Sequence, residues 1–145
     1  MNAPGMNSAD TLDQIAVALQ QWAESRADVD AVWVFGSVAK GKTRPGSDTD
    51  IAVLFAHGKQ PRGMEKLDLM MELSDCIGGD VDVVIMNTVV ELLSNQVLRF
   101  GTKVYSRDAV RTALFEIAEW GKYSDYERIR NTIISIRKKQ INGQR

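Results

Sequence analysis

One cysteine, Cys76, and one histidine, His57, are all that the 145 residues hold of the commonest soft metal ligands. A lone thiol without a CxxC neighbour closes no internal disulfide, excludes a cysteine-based zinc site and fits a reducing compartment. A single histidine, set in a polar turn, cannot build a His-based zinc cluster or a catalytic triad. No apolar run approaches the ~20 residues that a membrane-spanning helix needs. The first ten residues carry no Lys or Arg ahead of an apolar core, so no signal peptide is expected there. With 18 basic and 19 acidic residues the net charge is −1, which leaves no global field to draw the protein to nucleic acid. These absences predict a soluble, cytoplasmic protein with no membrane contact and no direct nucleic-acid binding. Internal repeats and low-complexity stretches are also missing.

What is present suits one globular domain. Hydrophobic residues make up 44% and charged residues 26% of the chain, enough for a core without staples. Residues 1–7 read as a disordered tail. Ser8 or Asp10 can cap a first helix whose apolar residues Leu12, Ile15, Ala16, Leu19, Trp22 and Ala23 recur at helical spacing, fading near Ala27. Ala31 to Phe35 is a short apolar run suited to a central strand. Ser37 to Ser47 reads as a loop, and Thr49 to Phe55 as a second strand joined to the first as an antiparallel hairpin, because the loop is too short for a crossover helix. Gly63 to Ile77 should form a helix with Leu67, Met70, Met71, Leu73 and Ile77 inward, stopped by Gly78-Gly79 through a left-handed cap. Asp80 to Met86 is a third strand, Thr88 to Phe100 a helix, and Thr102 to Tyr105 a fourth strand. Asp108 can cap a helix to about Trp120, and a further helix, broken from it near Gly121 to Ser124, would run toward Ile141. Six basic residues and no acidic one lie between Arg128 and Arg145; they suit a solvated helix face or, as a second reading, a partner surface. The expected fold is a mixed β-sheet with helices packed on it, α/β or α+β.

Gly36 to Thr43 spells GSVAKGKT, a literal GxxxxGK[ST] phosphate loop after a buried strand. That motif works only if a helix starts at the Lys and aims its N-terminal N–H groups at the phosphates. Here Pro45 disfavours helix at Arg44, and a strand begins at Thr49. A second pattern in the same stretch accounts for more residues. Gly36-Ser37 is followed, after ten residues, by Asp48-Thr49-Asp50. Strand residues two apart share a face about 6–7 Å apart, so Asp48 and Asp50 point together. Two divalent ions about 3.5–4 Å apart fit between such groups. Asp82 lies mid-run in VDVVIM, where a buried, unpaired carboxylate is costly unless it faces the other two and shares their ion. Asp80 points the same way from the strand mouth and is second choice. Gly36 lets backbone approach a phosphate, Ser37 offers a hydroxyl and an N–H, and Lys40, Lys42 and Arg44 can neutralise a leaving pyrophosphate. Taken singly, DxD is a common strand-edge pair and Gly-Ser a common turn; the combination is what points to chemistry.

The pattern GS-x10-DxD with Asp82 in a later strand resembles the DNA polymerase beta-like nucleotidyltransferase superfamily. With Phe115-Glu116, Tyr123 and Asp125 in the tail, the whole chain looks like a minimal nucleotidyltransferase (MNT, or MntA) antitoxin, of the kind encoded beside a HEPN-domain toxin. The resemblance implies a nucleotidyltransferase domain over 8–106 and a C-terminal helical extension over 107–145 that binds the partner. It implies that Asp48, Asp50 and Asp82 hold two Mg²⁺, with Asp82 also helping to deprotonate the acceptor. Gly36, Ser37, Lys40, Lys42 and Ser47 would bind ATP, and AMP would pass to a tyrosine of the HEPN toxin, an RNase-like protein, and silence it. Lys40 stands where the family often has Arg, Gly46 replaces a common acidic residue, and Ile85 stands where a second Asp often follows; none of these removes a metal ligand. Two other readings stay open: a binding module that masks the toxin with its nucleotide site idle, and nucleotidyl transfer to a small molecule.

Overall fold

The structure, a computed structural model, describes residues 8–41 and 48–143. The element order is α1 (Ser8–Glu24), β1 (Val29–Phe35), α2 (Gly36–Ala39), β2 (Thr49–Phe55), α3 (Met64–Ile77), β3 (Val81–Ile85), α4 (Glu91–Phe100), β4 (Thr102–Ser106) and α5 (Ala109–Gly143). The four strands form one sheet in the order β3-β2-β1-β4. β1 pairs antiparallel with both β2 and β4, whereas β2 and β3 run parallel, so the sheet is mixed as expected.

Alternation along the strands sorts the core into two layers. Ile51, Val53 and Phe55 of β2 turn to one face, where they meet Leu19, Trp22, Leu69 and Leu73 of α1 and α3. Ala52 and Leu54 turn to the other, where they meet Trp33, Met86, Val97 and Phe115. Asp50 belongs by alternation to this second face, at the end that α4 and α5 leave open. Polar side chains hold α5 onto that layer. Arg111 of α5 donates to the Asp30 carboxylate at 2.7 Å, and the buried Glu119 carboxylate accepts from the Ser94 hydroxyl at 2.9 Å and from Lys122 at 3.0 Å. The Phe115 ring lies 6.2 Å from that of Trp33.

Three expectations need correction. The stretch read as a loop from Ser37 opens with a helical turn, α2, because Val38 is buried as an anchor and Lys40 and Gly41 donate their N–H groups back to Gly36 and Val38. On α3, Leu67 and Met71 are exposed at 49% and 63% while Leu69 is buried. The helix carries two apolar stripes, and the one through Leu69 and Leu73 faces the sheet. The C-terminal helices are not two but one: α5 runs 35 residues without a break, about 50 Å of helix. Gly121 weakens a helix by ~1 kcal/mol relative to Ala but does not break it; the pair Lys122–Glu119 spans it, and Arg128–Asp125 follows on the next turn. Other boundaries agree closely. Gly78 caps α3 in the left-handed region at φ 72°. Asp108 caps α5, its carboxylate accepting from the N–H groups of Val110 and Arg111 at 2.9 and 3.1 Å.

Candidate active site

Register brings the proposed site residues together. Phe35, the last residue of β1, pairs with Asp50 of β2, and Asp50 pairs with Asp82 of β3. Asp48 lies two residues before Asp50, immediately ahead of the strand. Asp50 and Asp82 thus lie side by side on adjacent parallel strands, Asp50 against the β1–α2 turn, with Asp48 just ahead of β2 at the same end of the sheet. Gly36, at φ 71°, packs its α-carbon directly against the Asp50 carboxylate, in the place a side chain would occupy. Ser37 follows, half-buried, in α2. Lys40 ends α2, exposed, with its ammonium 5.8 Å from the centre of the Phe100 ring. Asp80 is exposed at the mouth of β3, its carbonyl accepting the Thr49 N–H at 3.0 Å. Lys42, Arg44 and Ser47 lie outside the described residues.

Asp82 was expected to be buried and is exposed. β3 is the edge strand, and the cover of α4 and α5 reaches Val84 and Met86 but stops short of Asp82. Its carboxylate therefore needs no partner to offset desolvation; the reason to group it with Asp50 is the strand register instead. Asp50 itself is half-buried. Burial first, then the charges of Asp82 and Asp48, push its carboxyl above the ordinary range. So the three groups repel one another, and among the described residues no Lys or Arg forms a salt bridge with any of them.

That donor set fits hard divalent cations: all oxygen, concentrated negative charge, and open positions for phosphate. The fit is one of chemistry and strand register, since among the described residues no three acidic, cysteine or histidine side chains close on a single point. Two recesses flank the carboxylates. One, of about 480 Å³, lies on the α3 side between Asp48, Asp80 and the exposed Leu67 and Met71. The other, of about 320 Å³, is lined by Phe35, Gly36, Lys40, Asp50, Gln96 and Phe100. Patterning in the sequence gives no reason to single out Gln96 and Phe100. Only their spacing of four on a helix ending at Gly101, beside a strand the site uses, could have pointed to them.

The phosphate-loop alternative does not survive this topology. β1 and β2 form an antiparallel hairpin, so the helix crossover to a parallel strand that such a loop feeds has no place. His57 is exposed and Trp22 and Trp33 are core, as expected, and Cys76 is half-buried against the layer that holds Trp22. Among the described residues no helix is long and apolar enough to cross a membrane.

Comparison with known proteins gives a consistent result. The family described as "Polymerase beta, Nucleotidyltransferase" matches residues 18–110, a stretch that includes Gly36, Asp48, Asp50 and Asp82. A proposed protein adenylyltransferase of Methanocaldococcus jannaschii is 35% identical over 65 residues, covering 45% of this chain and 68% of that protein. Among solved structures, a chain from a toxin–antitoxin crystal structure with AMP-PNP superposes with a TM-score of 0.69 at 23% identity, over 86% of this chain and 95% of that one. A chain from the tri-AMPylated HEPN toxin in complex with MNT antitoxin, from Shewanella oneidensis, gives 0.64 at 21% identity, over 88% and 96%. At these identities the two structural likenesses establish the fold.

Proposed function

This chain belongs to the polymerase beta nucleotidyltransferase family, and on that premise we propose that it transfers AMP from ATP to a tyrosine of a HEPN-type toxin and acts as that protein's antitoxin. The observation that carries the site is Asp50 paired with Asp82 across the strands while Gly36 packs on the Asp50 carboxylate. Asp48, Asp50 and Asp82 would hold two Mg²⁺, which when bound neutralise phosphate charge and favour ionisation of the acceptor hydroxyl. Gly36 gives the triphosphate close access to backbone, and Ser37 offers it a hydroxyl and an N–H. Lys40 balances the charge of the departing pyrophosphate; from the sequence alone, Lys42 and Arg44 are assigned the same task and Ser47 a contact to the nucleotide. Asp82, exposed on an edge strand, takes the hydroxyl proton. The acceptor oxygen bonds to the α-phosphorus, the bond from that phosphorus to the β-bridging oxygen breaks, and pyrophosphate leaves. The names of the relatives support this reading in kind: one is a proposed protein adenylyltransferase and one comes from a complex with an AMPylated toxin.

The test is the position of the label. ATP labelled at the α-phosphate should mark the partner protein at tyrosine, with one pyrophosphate released per AMP, and ATP labelled at the γ-phosphate should mark nothing. Transfer of the γ label, or acceptance only by a small molecule, would refute the assignment.

A second reading, masking of the partner by binding alone, is favoured by one observation. Beyond Glu119 no residue of α5 is buried among the described residues. Tyr126, Ile129, Ile133 and Ile136 are exposed at spacings of three, four and three, the seam spacing of helix pairs. Residues 107–145 would then be the partner-binding extension beside a catalytic unit of 8–106, although the first third of α5 packs on the sheet. Changing Ile129 and Ile133 together to Lys should weaken co-purification with the partner at least ~10-fold, as for loss of two buried anchors. Thermal melting should stay unchanged, because neither side chain touches the core. Retention of the complex by the double variant would assign the interface elsewhere.

A further inference from the structure

We propose that the recess beside Asp50 is a purine pocket, in which Phe100 supplies a stacking face and Gln96 reads the edge of an adenine base. The proposal rests on the nucleotide site above and goes beyond it by naming what selects the nucleotide.

The recess has two kinds of wall. Asp50, Gly36 and Lys40 form the charged side, where phosphates belong. Phe35, Gln96 and Phe100 form an uncharged side facing the same hollow. A nucleotide divides in the same way, into a polyanion and a flat, uncharged, hydrogen-bonding base. At about 320 Å³ the hollow falls near the lower end of the ~300–1,000 Å³ typical of small-molecule sites.

Phe100 ends α4 and is 57% exposed, an aromatic ring left in water at the rim of a polar site. Two cations already lie against it, Lys40 at 5.8 Å and Arg99 at 5.9 Å from the ring centre. Lys40 thus joins the phosphate side of the recess to the ring. A cation resting on an exposed ring is held weakly, and stacking of a base on such a ring is generally the stronger contact. An arriving nucleotide can therefore take the ring face with its base and the ammonium with its phosphates. Gln96 stands one helical turn before Phe100, on the same side of α4. Its side chain is exposed, and it forms no side-chain hydrogen bond to another described residue. A primary amide offers one acceptor and a pair of donors, the complement of the N6–N7 edge of adenine. Guanine presents two acceptors at the corresponding edge and leaves the amide oxygen unmatched.

The experiment is titration calorimetry of the full chain with Mg²⁺ and three probes: α,β-methylene-ATP, α,β-methylene-GTP and tripolyphosphate. Phe100→Ala should weaken the ATP analogue on the order of tenfold and leave tripolyphosphate unchanged, while Phe100→Tyr restores wild-type affinity. Gln96→Ala should reduce the preference for the ATP analogue over the GTP analogue. If Phe100→Ala binds the ATP analogue as wild type does, the ring takes no part in binding; if it loses tripolyphosphate equally, the ring only positions Lys40; either result overturns the pocket. An unchanged preference in Gln96→Ala overturns the assignment of that residue. A wild-type chain that binds none of the three probes overturns the nucleotide site itself, a result separate from either variant outcome.

Discussion

Asp50→Asn is expected to lower AMP transfer at least ~10³-fold while raising the melting temperature of the metal-free protein. Both effects follow from one placement. The Asp50 carboxyl is half-buried and faces two like charges, so burial, Asp82 and Asp48 all raise its proton affinity in the folded state. A group whose folded pKa lies above its unfolded value weakens folding once it ionises. Its penalty is absent below the ordinary carboxylate range, grows as pH rises through the interval up to the raised value, and is complete above it. The amide carries no charge at any of these pH values, so the variant should melt higher than wild type at pH 7 and the difference should vanish in acid. Added Mg²⁺ should reverse the order. An ion that binds only the folded state contributes about 2.7 kcal/mol at a hundredfold excess over its dissociation constant, and the wild-type carboxylate would gain it where the amide gains less. Loss of one group stabilising transition-state charge costs on the order of 10²–10³ in rate, and here the loss includes the ion. Transfer assays and melting curves with and without Mg²⁺ check the prediction. A variant that transfers AMP at the wild-type rate removes Asp50 from the site. A variant that loses transfer yet neutralises the partner fully favours masking over catalysis.

Much of this was legible before any coordinates, and the reasons differ by element. β1 and β2 could be read because buried central strands are continuous apolar runs, and their connection was too short to be anything but a hairpin. The grouping of Asp48, Asp50 and Asp82 followed from strand periodicity plus compactness, and the observed register of Asp50 on Asp82 agrees with it. The burial expected of Asp82 is nevertheless absent. Burial was inferred from apolar neighbours in sequence, but an edge strand whose cover ends at Val84 exposes what precedes it. The inward stripe of α3 was read only in part for a similar reason: Met70, Leu73 and Ile77 do pack on the core, whereas Leu67 and Met71 do not. Met64, Leu67 and Met71 repeat at helical spacing as well as Leu69 and Leu73 do, and only the packed sheet decides which stripe turns inward. The uninterrupted α5 shows the limit of local signals: one glycine without a proline lowers helix stability but leaves the backbone hydrogen-bond ladder intact. Gln96 and Phe100 could not be read at all, because their interest lies in a recess that exists only once α4 is set against the β1–α2 turn.

Gly36→Ala should be nearly as damaging to transfer as loss of Asp50, through a different cause. The residue sits at φ 71°, where an L side chain is strained, and a Cβ there would occupy the position of the Asp50 carboxylate. Strain alone is worth roughly 1–2 kcal/mol. The contact is the larger matter, because it forces the carboxylate away from Asp82 and narrows the approach of phosphates to the turn. Displacement of a catalytic group by about 1 Å can cost on the order of 10²-fold in rate. Gly78 provides the control. It has nearly the same backbone, at φ 72°, but nothing lies within 4 Å of the position its Cβ would take. Gly78→Ala should therefore share the fall in melting temperature and keep transfer near the wild-type rate, whereas Gly36→Ala should lose at least ~10²-fold as well as melting lower. Calorimetry of both proteins, with AMP transfer measured well below either melting temperature, separates the two contributions. Equal activity in the two variants would mean that the glycine before Ser37 is required by the turn and has no part in the chemistry. Activity lost in Gly36→Ala alone would tie the close approach of backbone and carboxylate directly to catalysis.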